Sequence, residues 1–392
     1  MLRLRPPKLA AKPVRSLEPV IFLAVFLGIF CLIGSRMGAV NMLSTMMNTA
    51  YQLLLDTVFY IMAVAVLAGA LLGLFSEFGV IALVNRLLSP LMKPLYGMPG
   101  AASLAMITTY LSDNPAILSL AHDKSFRRYF KKYQLPALTN IGTAFGMGAI
   151  VTTFMMSQTS PSGESLVTAA FVGNVGAVVG SVVSTRLMLR HTAKVFGKDA
   201  PCDEENNSPE MATSHRIARE GGIGMRVVDA LMDGGKTGVA LGLDIIPGVL
   251  IVCTLVLMLT NGPSEAGVYT GAAYEGIAFF PWLGEKLSFI LTPLFGFTST
   301  ESIAVPITAL GSAGAAIGLV PKLLANGSAT ACDVAVFTAM CMCWSGYLST
   351  HVAMMNNLKF GKLAGRTILA QTIGGLCAGV AAHWLFRLVS LF

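Results

Sequence analysis

Two carboxylates sit in stretches that otherwise look built for a lipid environment. Asp113 falls in Ser112-Asp113-Asn114-Pro115, inside the apolar run 95–121, LYGMPGAASLAMITTYLSDNPAILSLA. Glu301 falls in Thr298-Ser299-Thr300-Glu301-Ser302, near the head of LFGFTSTESIAVPITALGSAGAAIGLV. An ionisable side chain at membrane depth needs a partner, water, an ion or a solute. Pro115 lacks an N–H and disfavours helical geometry at Asn114, so a helix should break there. Freed backbone groups at that depth survive only against protein or a wet cavity. Hydroxyls and free N–H groups at a helix start can hold the polar atoms of a solute. The candidate solute-binding residues are Ser112, Asp113, Asn114, Asn140, Thr298, Ser299, Thr300, Glu301 and Ser302, and Asp113 and Glu301 are the candidates for a coupling ion. Two plainer readings stand beside this one. The 112–115 break also fits a surface loop between short helices, and Thr298 with Glu301 fits a capping box.

Other polar residues are placed less tellingly. Thr143 follows Asn140, and Ser345, Ser349 and His351 lie on a later apolar segment. A lone helical histidine is more often bonded within a bundle than a ligand. Asp56 and Asp244 read as helix ends in contact with water or as coupling groups. The seven cysteines show no zinc or disulfide spacing, and Cys341-Met342-Cys343 reads as helix packing. Ala230-x4-Gly235-Lys236-Thr237 approaches a phosphate loop, but alanine stands for the first glycine and no strand precedes it. No catalytic residue or metal ligand is assigned. An intramembrane enzyme using His351 and an acid is a rival reading.

The elements that must position these groups are helices in a bilayer. Hydrophobic residues make up 54% of the 392 and charged residues 12%, with mean hydropathy +0.70. A soluble domain carries about twice that charge fraction. The expectation is an all-α polytopic membrane protein whose partners are the lipid bilayer and a small-molecule solute. The net charge of +7 needs no nucleic acid, because Lys and Arg gather in cytoplasmic loops. A homo-oligomer is left open. Residues 1–18 are basic and precede the apolar run Val20–Ile33, which reads as an uncleaved first helix with a cytoplasmic N-terminus. Helices are expected near 53–75, 135–156, 166–187, 239–260, 272–296, 298–320, 334–356 and 367–388. The region 79–120 is either re-entrant or two short crossings.

Self-comparison at an offset of 199 (302 − 103) lays Leu95-Tyr96-Gly97 on Leu294-Phe295-Gly296, Thr139 on Thr338, and Met155-Met156 on Met354-Met355. Gly176 and Gly180 meet Gly375 and Gly379, spacings that permit close helix packing. Earlier, Asp56 meets Asp244 at an offset of 188. Basic loops at 122–132 and 357–366 should be cytoplasmic, and the loop at 157–163, without Lys or Arg, external. Equivalent loops then lie on opposite sides, as in two inverted-topology repeats with broken or re-entrant helices. The expected organisation is 1–40, an N-terminal tail and extra helix; 41–194, a first repeat; 195–230, a cytoplasmic polar linker; and 231–392, a second repeat.

The stretches LLSPLMKPLYGMPGAASLAMITTYLSDNP and LTPLFGFTSTESIAVPITALGSAG resemble the nucleoside-recognition, or Gate, family. That family includes the spore maturation membrane proteins, the gate segments of ferrous iron permeases and, more distantly, concentrative nucleoside transporters. The resemblance spans about two-thirds of the chain. It implies a gate-type fold in a bacterial cytoplasmic membrane and says little about substrate. With it, the expected function is a secondary transporter of a small polar or cationic solute, nucleoside-like solutes included. Coupling would be to H⁺ or Na⁺, and no other cofactor is expected. A non-transporting membrane factor of the spore maturation kind, or a metal-ion or organic-ion permease, is the alternative.

Overall fold

The computed structural model describes residues 17–391 apart from positions 115, 123, 128, 161, 162, 164, 203–220, 245 and 265. The basic tail 1–16 and residues 203–220 of the expected linker 195–230 lie outside the described residues. Helix α1 (Glu18–Met37) has proline in its first turn, where a missing N–H costs no hydrogen bond. It is apolar on all faces and little of it is covered by protein, as suits a helix in lipid. Gly38, at φ 81°, turns the chain into α2 (Ala39–Gln52), and a π-helical turn over Leu53–Val58 leads into α3 (Phe59–Glu77).

Next, α4 (Val80–Leu91) passes into a π-helical turn at Met92–Tyr96. Pro90 and Pro94 each remove a donor there, which loosens the i→i−4 ladder. Helix α5 (Ala102–Leu111) and the short α6 (Ala116–His122) and α7 (Lys124–Arg127) follow. Helices α8 (Leu138–Thr143) and α9 (Gly148–Ser157) precede the long α10 (Leu166–Phe196). The second half begins with α11 (Ile223–Asp244), a π-helical turn at Gly248–Cys253 and α12 (Thr254–Thr260). Helix α13 (Phe279–Phe295) leads through a 3₁₀ turn at Thr300–Ile303 to α14 (Ala304–Ala309). The short α15 (Ala313–Ile317) and α16 (Val320–Ala325) follow. Helices α17 (Ala331–Trp344), α18 (Tyr347–Asn357) and α19 (Ala364–Val389) complete the chain. Among the described residues, extended pairing is confined to an isolated bridge between Lys131 and Pro201.

The all-helical, apolar architecture matches the expectation. Among the described residues, four helical stretches are long and apolar enough to cross a membrane: Glu18–Met37, Leu138–Ser157, Leu166–Phe196 and Gly361–Val389. The pair Glu285–Phe295 and Thr300–Ala309, bent by 78°, is either a fifth span, broken, or a re-entrant loop.

Helix ends recur at the offset found in the sequence. Gly97 (φ 71°) and Gly296 (φ 64°) are both left-handed and 296 − 97 = 199 apart. Met147 (φ 54°) and Gly346 (φ 68°) are left-handed and 346 − 147 = 199 apart. The expected continuous helices at 135–156 and 334–356 are therefore each cut in two, at 144–147 and 345–346. Apolarity alone does not reveal such a cut. The segment expected at 272–296 becomes helical only at Phe279. Ahead of it, 261–278 is a folded loop with Tyr274 and Ala278 in left-handed conformations.

Helices α10 and α19, whose glycines recur at the 199-residue offset, pack against each other head to tail. A Cβ on Gly180 would lie 2.4 Å from the Gly374 carbonyl, and one on Gly176 would lie 2.8 Å from the Ala378 carbonyl. Rising numbers on α10 thus meet falling numbers on α19, which is antiparallel packing through backbone contact. Helices α3 and α11, which are not counterparts at either offset, also pack antiparallel, Gly69 against Gly234 and Gly73 against Ala230. At one end of the α10–α19 pair Phe196 meets Phe360 edge-on, ring centroids 5.6 Å apart, and Lys132 sits 5.6 Å over the Phe196 ring. The two basic loops therefore share one end of the molecule, and the loop 158–165 begins from the other.

The near-miss phosphate loop is part of α11. Lys236 pairs with Asp233 at 3.3 Å on its exposed face, so it presents no phosphate cradle.

Candidate functional site

Within the described residues the helix breaks at 112–114, and Asn114 there is fully buried. Helix α5 ends at Leu111 and Ser112 leaves helical geometry, φ −135°, ψ −113°. Ser112 Oγ donates back to Thr108 O at 2.9 Å, and Asp113 Oδ1 accepts the Asn114 N–H at 2.7 Å. Both side chains thus satisfy local backbone. Asn114 is fully buried and points away from them. Its Nδ2 donates to Ser345 O at 2.6 Å and reaches Thr350 Oγ1 at 3.4 Å.

Three further interruptions meet it. Ser345 Oγ donates to Gly146 O at 3.2 Å, in the gap between α8 and α9. The Gly346 N–H donates to Ala309 O at 2.9 Å, where α14 ends. No side chain fits at position 146, since a Cβ there would lie 1.6 Å from Asn114 Oδ1. Breaks at 112–114, 144–147, 309–312 and 345–346 therefore converge.

A second layer of polar groups surrounds this point. Asn140 Nδ2 donates to Thr367 O at 3.1 Å and to Gln371 Oε1 at 2.9 Å, and Gln371 Nε2 donates to Cys343 O at 2.6 Å. Thr143 Oγ1 lies 3.4 Å from His351 Nδ1. His351 is fully buried. The partners of Asn114 and Asn140 are carbonyls, which fixes which amide atom is nitrogen. That leaves Asn114 Oδ1, Asn140 Oδ1 and His351 Nε2 buried with no hydrogen-bond partner in the protein. Buried polar atoms are nearly always paired, so a group of three asks for water, an ion or a ligand.

The residues 298–302 belong to a different cluster. Thr298 donates through its N–H to Asp333 Oδ1 at 3.0 Å and through Oγ1 to Asp333 Oδ2 at 2.5 Å. Asp333 also closes a capping box with Thr330 at the start of α17. The capping box expected between Thr298 and Glu301 does not form, because Asp333 takes Thr298 instead. Glu301 Oε2 accepts from Ser328 Oγ at 3.0 Å, and Ser302 Oγ donates to Ser328 O at 3.1 Å. Thr300 is half-buried, and the Ser299 hydroxyl is buried without a partner. Asp333 and Ser345 lie at opposite ends of α17, about 18 Å apart at 1.5 Å per residue. The predicted residues thus form two groups: Asn114 with Asn140, and Thr298 with Glu301 and Ser302. They do not form one pocket.

Several participants escaped the sequence reading. Gln371 was legible as a lone amide in an apolar helix. Asp333 was legible through the repeat. At 333 − 134 = 199 it falls at the offset of Gln134, whose Nε2 donates to Gly97 O at 3.1 Å. The side chains of Ser349 and Asp244 lie outside the described residues.

Lys322 lies 4.6 Å over the Tyr274 ring. It lines both a small cavity with Glu301 and Asn326 and a larger one, about 350 Å³, with Asp56, Tyr60 and Tyr274. Among the described residues no three His, Cys, Asp or Glu side chains gather as a metal site.

No family model matches the chain, and no curated protein matches it. Its fold is similar to solved structures of the concentrative nucleoside transporter CNTnw. CNTnw in an inward-facing substrate-bound state aligns with TM-score 0.53 and 16% identity, over 96% of this chain and 92% of that one. A doubly substituted CNTnw in an outward-facing state aligns with TM-score 0.55 and 15% identity, over 85% and 76%. A singly substituted CNTnw in an intermediate state aligns with TM-score 0.51 and 15% identity, over 96% and 93%. At such identities the likeness is one of fold: a multi-pass helical membrane architecture shared with a transporter.

Proposed function

We propose that the chain is a secondary transporter of a small polar solute, built from two repeats of opposite orientation. Its polar centre would lie where the four helix interruptions meet. The observation that carries the reading is that convergence, with Asn114 Oδ1, Asn140 Oδ1 and His351 Nε2 left for a ligand. Discontinuous helices meeting at mid-bundle are how transporters of this class expose backbone and amide groups to a solute. The antiparallel packing of the equivalent helices α10 and α19 supports opposite orientation. The fold likeness to a protein seen facing outward, facing inward and between the two supports alternating access.

Asn114, Asn140 and Ser345 would hold the solute, with Ser112 and Asp113 at the edge of that site. Thr298, Ser299, Thr300, Glu301 and Ser302 would form the gate of the second repeat. Asp113 and Glu301 remain the coupling-ion candidates, for H⁺ or Na⁺. The Gate-family resemblance fits this reading, as does a bacterial cytoplasmic membrane with both basic loops inside. The test is a thermal-stability screen of purified protein against nucleosides, amino acids, amines and carboxylates, followed by Asn114→Ala and Asn140→Ala. Each variant should keep its fold and lose about tenfold or more in affinity for the stabilising solute. Unchanged affinity in both would move the site elsewhere.

A further inference from the structure

We propose that the cavity of about 350 Å³ beside the first π-helical turn is a binding site for a zwitterionic, amino-acid-like solute with an apolar side chain. Its volume falls within the roughly 300–1,000 Å³ of small-molecule sites. It shares no residue with the central interruptions, so the inference goes beyond the site proposed above and can stand without it.

The cavity holds one charge of each sign. Asp56 is exposed into it from the π-helical turn Leu53–Val58, a kind of irregularity that recurs at functional sites. Lys322 enters from α16, half-buried, and forms no ion pair among the described residues. Its ammonium rests 4.6 Å over the Tyr274 ring and also faces the adjoining cavity of Glu301. The walls are aromatic and apolar: Tyr60 and Phe154, edge to face with centroids 5.7 Å apart, and Leu319.

Those groups discriminate by charge. A solute with only an ammonium would meet Lys322 unpaired, and one with only a carboxylate would meet Asp56 and Glu301. A neutral solute would displace water from both charges and return nothing. A solute carrying both groups pairs each, and its side chain lies on the aromatic wall. Rejection of the singly charged forms is as much a part of the selectivity as attraction of the zwitterion.

The experiment uses the full-length protein in detergent, with binding read by calorimetry and thermal shift. The probes are L-phenylalanine, its amide (cation only), its N-acetyl derivative (anion only) and uridine. L-phenylalanine should bind about tenfold or more tighter than the other three, the scale of one hydrogen-bonded charge. Lys322→Gln should reduce L-phenylalanine to the affinity of the amide, and Asp56→Asn to that of the N-acetyl form. The series on the unmodified protein decides the matter even if a variant fails to fold. Equal binding of the three phenylalanine compounds, tighter binding of uridine, no binding of any probe, or no change in the folded Lys322→Gln variant would each overturn the proposal. Binding is measured apart from uptake, so a chain that binds L-phenylalanine but transports no solute of the panel would refute the transport reading and leave this one intact.

Discussion

Asn114 and Gly146 are fitted to each other, and position 146 has no room for a side chain. The asparagine gives its N–H to the Ser345 carbonyl, and its own oxygen occupies the space a Cβ on Gly146 would need. Gly146→Ala should therefore destabilise the protein by about 1–3 kcal/mol, the usual cost of overpacking a dense interior. Chemical or thermal denaturation in detergent reads this directly, and a neutral result would mean the interruption is looser than described. Glu275 makes a second test outside the helices. Burial pushes its carboxyl upward, but hydrogen bonds from the Thr270 hydroxyl and the Thr270 and Gly271 N–H groups outweigh that, so its pKa lies below the usual value. A depressed carboxylate stabilises the fold above its unfolded pKa, and that contribution is lost as pH falls through the folded value. Glu275→Gln should cost about 1–2 kcal/mol at pH 7, and its deficit against the parent should shrink as pH drops through the acid range. A deficit independent of pH would contradict the assignment. At this scale the sequence was half legible. Asn114 stood out because a proline follows it. Gln371 stood out only as a lone amide and Asp333 only through the repeat offset, and their roles stayed hidden because these depend on partners 231 and 35 residues away.

Helix α10 meets α19 through glycine, and the contact is backbone on backbone. Gly180→Val would place a branched side chain where 2.4 Å is free to the Gly374 carbonyl. That change should separate the pair and cost at least about 1–3 kcal/mol, read as a lower thermal midpoint. Gly197→Val should behave differently at the same helix: its Cβ meets nothing within 4 Å, so any loss there comes from its left-handed φ of 74° alone. Element existence was readable from hydropathy, since apolar runs of the right length announce themselves. Element interruption was not. The cuts at Met147 and Ser345 fall beside Gly146, Gly148 and Gly346, but glycine is frequent in membrane helices and does not by itself announce a break. They are imposed by the meeting of four chain segments, and only the 199-residue offset between Met147 and Gly346 links them.

For the molecule as a whole, repeats of opposite orientation would place equivalent loops on opposite faces. Ser160 and Lys359 are 359 − 160 = 199 residues apart, one ahead of α10 and the other ahead of α19. In a chain whose seven native cysteines are replaced, Ser160→Cys should react with an impermeant thiol reagent from outside the cell. Lys359→Cys should react only from inside. Labelling of both from one face would refute opposite orientation. The charge pattern is the sequence basis of this expectation, and in the structure both basic loops fall at the end where Lys132 meets Phe196. What hydropathy and charge could not foresee was the division of the polar residues between the two ends of α17. The most direct test of the central claim is counterflow in proteoliposomes, with a panel of nucleosides, amino acids, amines and carboxylates as labelled probes under H⁺ and Na⁺ gradients. At least one probe should exchange saturably above empty liposomes, with Asn114→Ala reducing the rate about tenfold or more. If no probe exchanges, or if exchange persists unchanged in Asn114→Ala, the converging interruptions are not a transport site.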